Sequence, residues 1–144
     1  MVSRERIVVG GDTTPSATAA LRWAVEEAAR RHTSVLVVHA FDVEGRADLA
    51  LERDLDRSRR DARYRTQSWV VEVLGDSEIS VPVMVQTPDG PVEDALVRAS
   101  VNAALVVIGE PQNGRRRELA ARLSARCACP VVTVGVGRTP ALAG

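Results

Sequence analysis

Residues 103–134 read A-A-L-V-V-I-G-E-P-Q-N-G-R-R-R-E-L-A-A-R-L-S-A-R-C-A-C-P-V-V-T-V. The spacing predicts a strand over 104–108, a polar turn over 109–114, a helix over 115–126 and a second strand over 131–134. Both apolar runs are continuous rather than alternating, as in strands covered on both faces of a parallel sheet. In such sheets ligands sit beyond the carboxyl ends of the strands, where a helix start offers free N–H groups and the positive end of its dipole. Residues 109–117 are therefore where a phosphate would go.

Ahead of this unit the same alternation repeats. An apolar strand over 6–10 runs through Gly11-Asp12-Thr13-Thr14-Pro15 into a helix, with Thr14 as N-cap and Pro15 in the first helical position. Ala17, Ala20, Leu21, Ala24, Val25 and Ala28 give that helix its core face, with Trp23 beside it as packing. The helix ends near Arg31, with cations in the last turn as the dipole prefers.

A second strand follows over 34–41, with His39 near its carboxyl end as a structural, hydrogen-bonded group. Next comes a charged helix over 47–74, with a narrow face formed by Leu51, Leu55, Ser58, Ala62, Thr66, Trp69 and Val73. The arginine-rich run 57–65 has Asp54, Asp56 and Asp61 interleaved, which reads as a solvated face rather than a nucleic-acid contact. A third strand over 79–87 contains Pro82, which suits a strand start or a sheet edge. Gly90 then caps a short helix with Pro91 in its first position and Val92, Ala95, Leu96 and Ala99 facing inward. Strands alternating with helices define a three-layer α/β/α sandwich, and the 144 residues form one domain with residues 135–144 as a mobile tail.

Composition narrows the function. Nineteen basic and nineteen acidic residues cancel, and aromatic content is 3%, so neither phosphate neutralisation nor base stacking recommends a nucleic-acid partner. Every basic residue among the nineteen is Arg, which excludes lysine chemistry. No apolar run has the length of a membrane span and the first ten residues lack a secretory core, so a cytoplasmic protein is expected. Cys127 and Cys129 are too close in sequence for a good bridge and lack partners for zinc, so reduced thiols and no metal are expected.

Taken together, R-I-V-V-G-G-D-T-T-P-S, V-L-V-V-H-A-F, D-G-P-V-E-D-A-L-V-R-A-S, A-A-L-V-V-I-G and A-R-C-A-C-P-V-V-T-V resemble, in this order, the segments of the universal stress protein family. The resemblance covers almost the whole chain. It implies an adenine nucleotide alpha hydrolase-like fold with a five-stranded parallel sheet of order 3-2-1-4-5, and a homodimer. In that fold Val131–Val134 forms an apolar sheet edge free of charge, which a second copy would cover across a twofold axis.

ATP-binding members of the family carry Gly-x-x-Gly and, further on, Gly-Ser or Gly-Thr after the fourth strand. Here Gly109 fills the first place, Gln112 the second, the loop is shorter, and Arg117-Glu118 fall where Gly-Ser would be. Glycines in such loops let backbone N–H groups approach phosphate. Side chains at Gln112 and Arg117 obstruct that approach, and a carboxylate at Glu118 repels it. Against this, Asp12 matches the family aspartate that meets ribose and adenine, and Ala40 the position whose backbone meets adenine; Asp12 serves equally as a helix-entry residue. Arg115, Arg116 and Arg117 crowd a first helical turn, each opposing the dipole by about 0.3–1 kcal/mol unless an anion binds or the arms reach into solvent. The candidate nucleotide or anion site is thus Gly11, Asp12, Ala40, Gly109, Gly114, Arg115, Arg116 and Arg117, with no catalytic residue assigned.

Two readings compete. One is a non-enzymatic, dimeric stress-response protein with absent or weakened ATP binding and no obligate cofactor. The other is a regulatory module that binds an adenine nucleotide through a rebuilt phosphate loop. Hydrolysis is the weakest reading, because the chain offers neither a Walker A lysine nor a base–nucleophile arrangement.

Overall fold

Continuous apolar runs feed two cores at once. In β1 (Arg6–Gly10), Ile7 and Val9 join one buried cluster while Val8 joins another; in β2 (Val35–Val38), Val35 and Val37 separate from Leu36 and Val38 in the same way. A computed structural model describes residues 5–11, 14–40, 52–78, 80–110, 114–137 and 139–143. The first cluster lies under α1 (Pro15–Arg31) and α2 (Glu52–Leu74), the second under α3 (Val92–Ser100) and α4 (Gly114–Arg126). Leu21 anchors one layer, and Leu96 and Leu123 the other, all fully buried.

β3 (Val83–Gln86), β4 (Ala103–Gly109), β5 (Val131–Val134) and β6 (Ala141–Leu142) complete the sheet, in the order β3-β2-β1-β4-β5-β6. The first five strands are parallel, as expected for a three-layer sandwich with the 3-2-1-4-5 core. In β4, Leu105 and Val107 face one core and Val106 and Ile108 the other, yet Ala103 joins the side of Val106. A register shift explains the broken parity: Arg6 pairs with Ala103 but Ile7 with Leu105, so Ala104 is an extra residue in the ladder.

Several expectations need correction. Among the described residues the sheet has six strands, not five, because part of the expected mobile tail returns antiparallel: Val132 pairs with Leu142 and Thr133 with Ala141. The Val131–Val134 edge is therefore occupied by the chain itself, and the homodimer through an uncovered β5 loses its premise. β3 starts at Val83, directly after Pro82, because proline cannot donate to the ladder. Pro91, not Gly90, is the N-cap of α3; Gly90 precedes it at φ 99°, a backbone conformation that glycine adopts without strain. Ser100 is buried in that helix, while Val92 is exposed.

The first helix forms as its sequence dictates. Thr14 Oγ1 accepts a hydrogen bond from Ala17 N at 3.2 Å, Pro15 follows it, and Glu27 pairs with Arg30 and Arg31 near the other end. Among the described side chains of α2, Arg59 donates to Asp89 at 2.6 Å, while Arg57, Arg60, Arg63 and Arg65 face solvent.

Candidate functional site

Because β1 to β5 are parallel, their carboxyl ends share one edge of the sheet. β1 and β4 are neighbours, but the chain leaves β1 for the α1 face and β4 for the α4 face. That divergence is the topological switch point at which open α/β sheets hold ligands. Gly11 follows β1 there, Gly109 ends β4, and His39 and Ala40 follow β2.

Gly11 is held on three sides. Its N–H donates to Val38 O at 3.0 Å, and its carbonyl accepts from His39 Nδ1 at 2.6 Å. A Cβ on it would stand 3.0 Å from Val37 Cγ1 and 3.3 Å from Trp69, so the residue has little room. His39 is fixed in turn, its N–H donating to Gln86 O at 2.9 Å. The structural role expected for His39 is thus given a partner, the Gly11 carbonyl. Ala40 is half-buried against the α3–α4 core.

Gly109 has a different reason to be glycine. A Cβ there would lie 2.8 Å from Ala17 N, from the Ser16 carbonyl carbon and from Ser16 Oγ, closer than any side chain tolerates. The first turn of α1 packs directly onto the end of β4, and Ser16 is buried in the contact. Beyond it, Glu110 N donates to Val134 O at 2.7 Å and keeps β4 and β5 joined. Sequence reasoning overlooked Ser16, whose only signal was its place in the turn after the Thr14-Pro15 cap.

The helix expected from 115 begins at Gly114, so Arg115, Arg116 and Arg117 do occupy its first turn. Arg117 is exposed. Glu118, placed by the motif where a phosphate-binding hydroxyl would be, is exposed and approaches Arg122 to 3.9 Å; Arg122 in turn meets Glu93 at 3.2 Å. Asp12 and Gln112, and the side chains of Arg115 and Arg116, lie outside the described residues. The structure therefore brings Gly11, Ala40 and Gly109 to one sheet end.

Cys127 and Cys129 are both free thiols. Burial pushes both upward, Cys129 to about 11, so they are protonated at neutral pH and poor nucleophiles. No helix among the described residues is long and apolar enough to cross a membrane.

A doubly wound α/β sandwich with glycines at the β1 and β4 ends defines a class of nucleotide-fold proteins. Within it, this chain belongs to the universal stress protein family, whose sequence profile matches residues 3–135. Two curated universal stress proteins of Mycobacterium tuberculosis strains are each 33% identical to it over 144 residues, covering 93% of this chain and 49% of theirs. The chain thus spans about half the length of the curated relatives it matches. A universal stress protein of Archaeoglobus fulgidus, solved in complex with dAMP, is 26% identical with a TM-score of 0.64, covering 90% of this chain and 97% of that one. A family member of Arabidopsis thaliana, solved with AMP bound, shares the fold at 19% identity and a TM-score of 0.61, covering 91% of each chain.

Proposed function

We propose that this chain acts as a single, non-enzymatic stress-response domain that seats an adenine nucleoside at the β1–β2 strand ends but binds ATP weakly. The observation that carries this reading is the packing of Gly109. It is the one glycine of the phosphate motif that this sequence retains, and the contact with Ser16 and Ala17 requires it whether or not a ligand is present. Its retention is therefore no argument for a phosphate cradle, and Gln112, Arg117 and Glu118 argue against one.

The relative solved with dAMP supports a second reading, a regulatory module that uses the same seat and meets the phosphate through Arg115–Arg117. Calorimetric titration with adenosine, dAMP and ATP separates the two. Under the first reading ATP binds more weakly than about 100 μM, and the phosphates add nothing to adenosine. Micromolar ATP affinity that falls in an Arg115→Ala, Arg116→Ala, Arg117→Ala variant supports the second.

A further inference from the structure

We infer that His39 is the positioning residue of the nucleoside seat, fixing Gly11 at the end of β1 through its carbonyl; the inference rests on the reading just given. The backbone ladder between β1 and β2 reaches Gly11, whose N–H still donates to Val38 O. The His39 N–H faces the other neighbour and continues the β2–β3 ladder, donating to Gln86 O as Val35 N does to Pro82 O. The Gly11 carbonyl would be the next acceptor in a continuing ladder, and the His39 imidazole takes it, Nδ1 to O 2.6 Å.

A side-chain donor does here what a further backbone N–H would do, and the difference has a consequence. A backbone bond would draw β1 and β2 together past Gly11 and close the space at their ends. The imidazole holds the Gly11 carbonyl from the side chain, without a further backbone rung. The peptide group is planar, so holding its carbonyl sets the direction in which the chain leaves β1. Packing of Gly11 against Val37 and Trp69 removes the remaining freedom. A seat held in its bound geometry avoids an ordering cost on binding.

The test uses variants that differ in where they place a donor. Asparagine puts an amide N–H near the position of Nδ1, glutamine puts it near Nε2, and leucine has none. dAMP is the probe, titrated into wild-type protein, His39→Asn, His39→Gln and His39→Leu, with thermal melts alongside. Losing one hydrogen bond is expected to weaken binding about three- to tenfold in the Leu and Gln variants, while Asn stays near wild type. Equal affinity across all four proteins overturns the inference, as does a loss in Asn as large as in Leu.

If the wild type binds no dAMP, the nucleoside seat itself is refuted and an NMR arm still decides the role of His39. The Gly11 carbonyl 13C shift should move in the Leu variant and return in Asn, with the wild-type imidazole protonated on Nδ1. An unmoved Gly11 carbonyl overturns the positioning role independently of any ligand.

Discussion

Gly109 and Ser16 meet with no room between them: a Cβ on Gly109 would stand 2.8 Å from Ser16 Oγ. The contact joins the last residue of β4 to the buried first turn of α1 and so fixes two of the elements that border the switch point. A glycine that a motif assigns to phosphate is thereby accounted for by packing.

Gly109→Ala is accordingly expected to destabilise the protein by about 1–3 kcal/mol, since the backbone at Ser16 and Ala17 must shift to admit a methyl group. Urea unfolding without nucleotide measures it. A neutral substitution would mean that α1 can move away at no cost, and would reopen the case for a ligand role.

Thr14→Ala should cost about 1 kcal/mol, the usual worth of an N-cap whose oxygen accepts an amide, here that of Ala17 at 3.2 Å. Thr14→Ser should recover most of the loss. If alanine and serine behave alike, the cap bond is not what starts α1.

Much of the fold was legible because it rests on local chemistry. The valine and isoleucine runs gave β1 and β5 their bounds, and Thr14-Pro15 gave the start of α1. What stayed hidden depends on neighbours distant in sequence. Ala141 and Leu142 have no periodicity, and only Val132 and Thr133 across the ladder make them a strand. Gly109 and His39 were both singled out, but neither could be matched to its partner, because Ser16 and Gly11 lie far from them along the chain. At Gly90-Pro91 the turn was recognised and its register missed by one, since both residues are permitted as caps and the φ of 99° at Gly90 decides between them.

Stability should fall in alkaline solution. Burial raises the Cys129 thiol to about 11, above its unfolded value, so the folded state holds this proton more tightly. That contribution is whole below the unfolded pKa near 8.5 and is lost as pH rises through the folded one. Unfolding midpoints measured from pH 8 to 10.5 should decline more steeply for wild type than for Cys129→Ser. Parallel slopes would show that the thiol is not responsible.

The last prediction concerns β6, which covers the edge that a second copy would otherwise use. Among the described residues it is held by Ala143 N to Val131 O at 2.9 Å, Ser124 Oγ to Ala143 O at 2.8 Å and Thr133 Oγ1 to Ala141 O at 3.3 Å, beside the two paired residues. Leu142 is 75% exposed, so little apolar burial secures the strand. Ala143→Pro deletes one donor while leaving Leu142 in the extended region that proline favours before it. Ser124→Ala deletes another. Each should loosen β6, uncover β5 and raise the dimer fraction above wild type in sedimentation at equal concentration, because an open β5 edge presents unpaired N–H and C=O groups. Val132 and Val134 are both buried, so lysine there would strike the core rather than the edge. Thr133 is half-buried and gives the cleaner control: Thr133→Lys in the Ala143→Pro background should return the protein to monomer. An unchanged dimer fraction in Ala143→Pro and Ser124→Ala would show that β6 is not what keeps a second chain from β5.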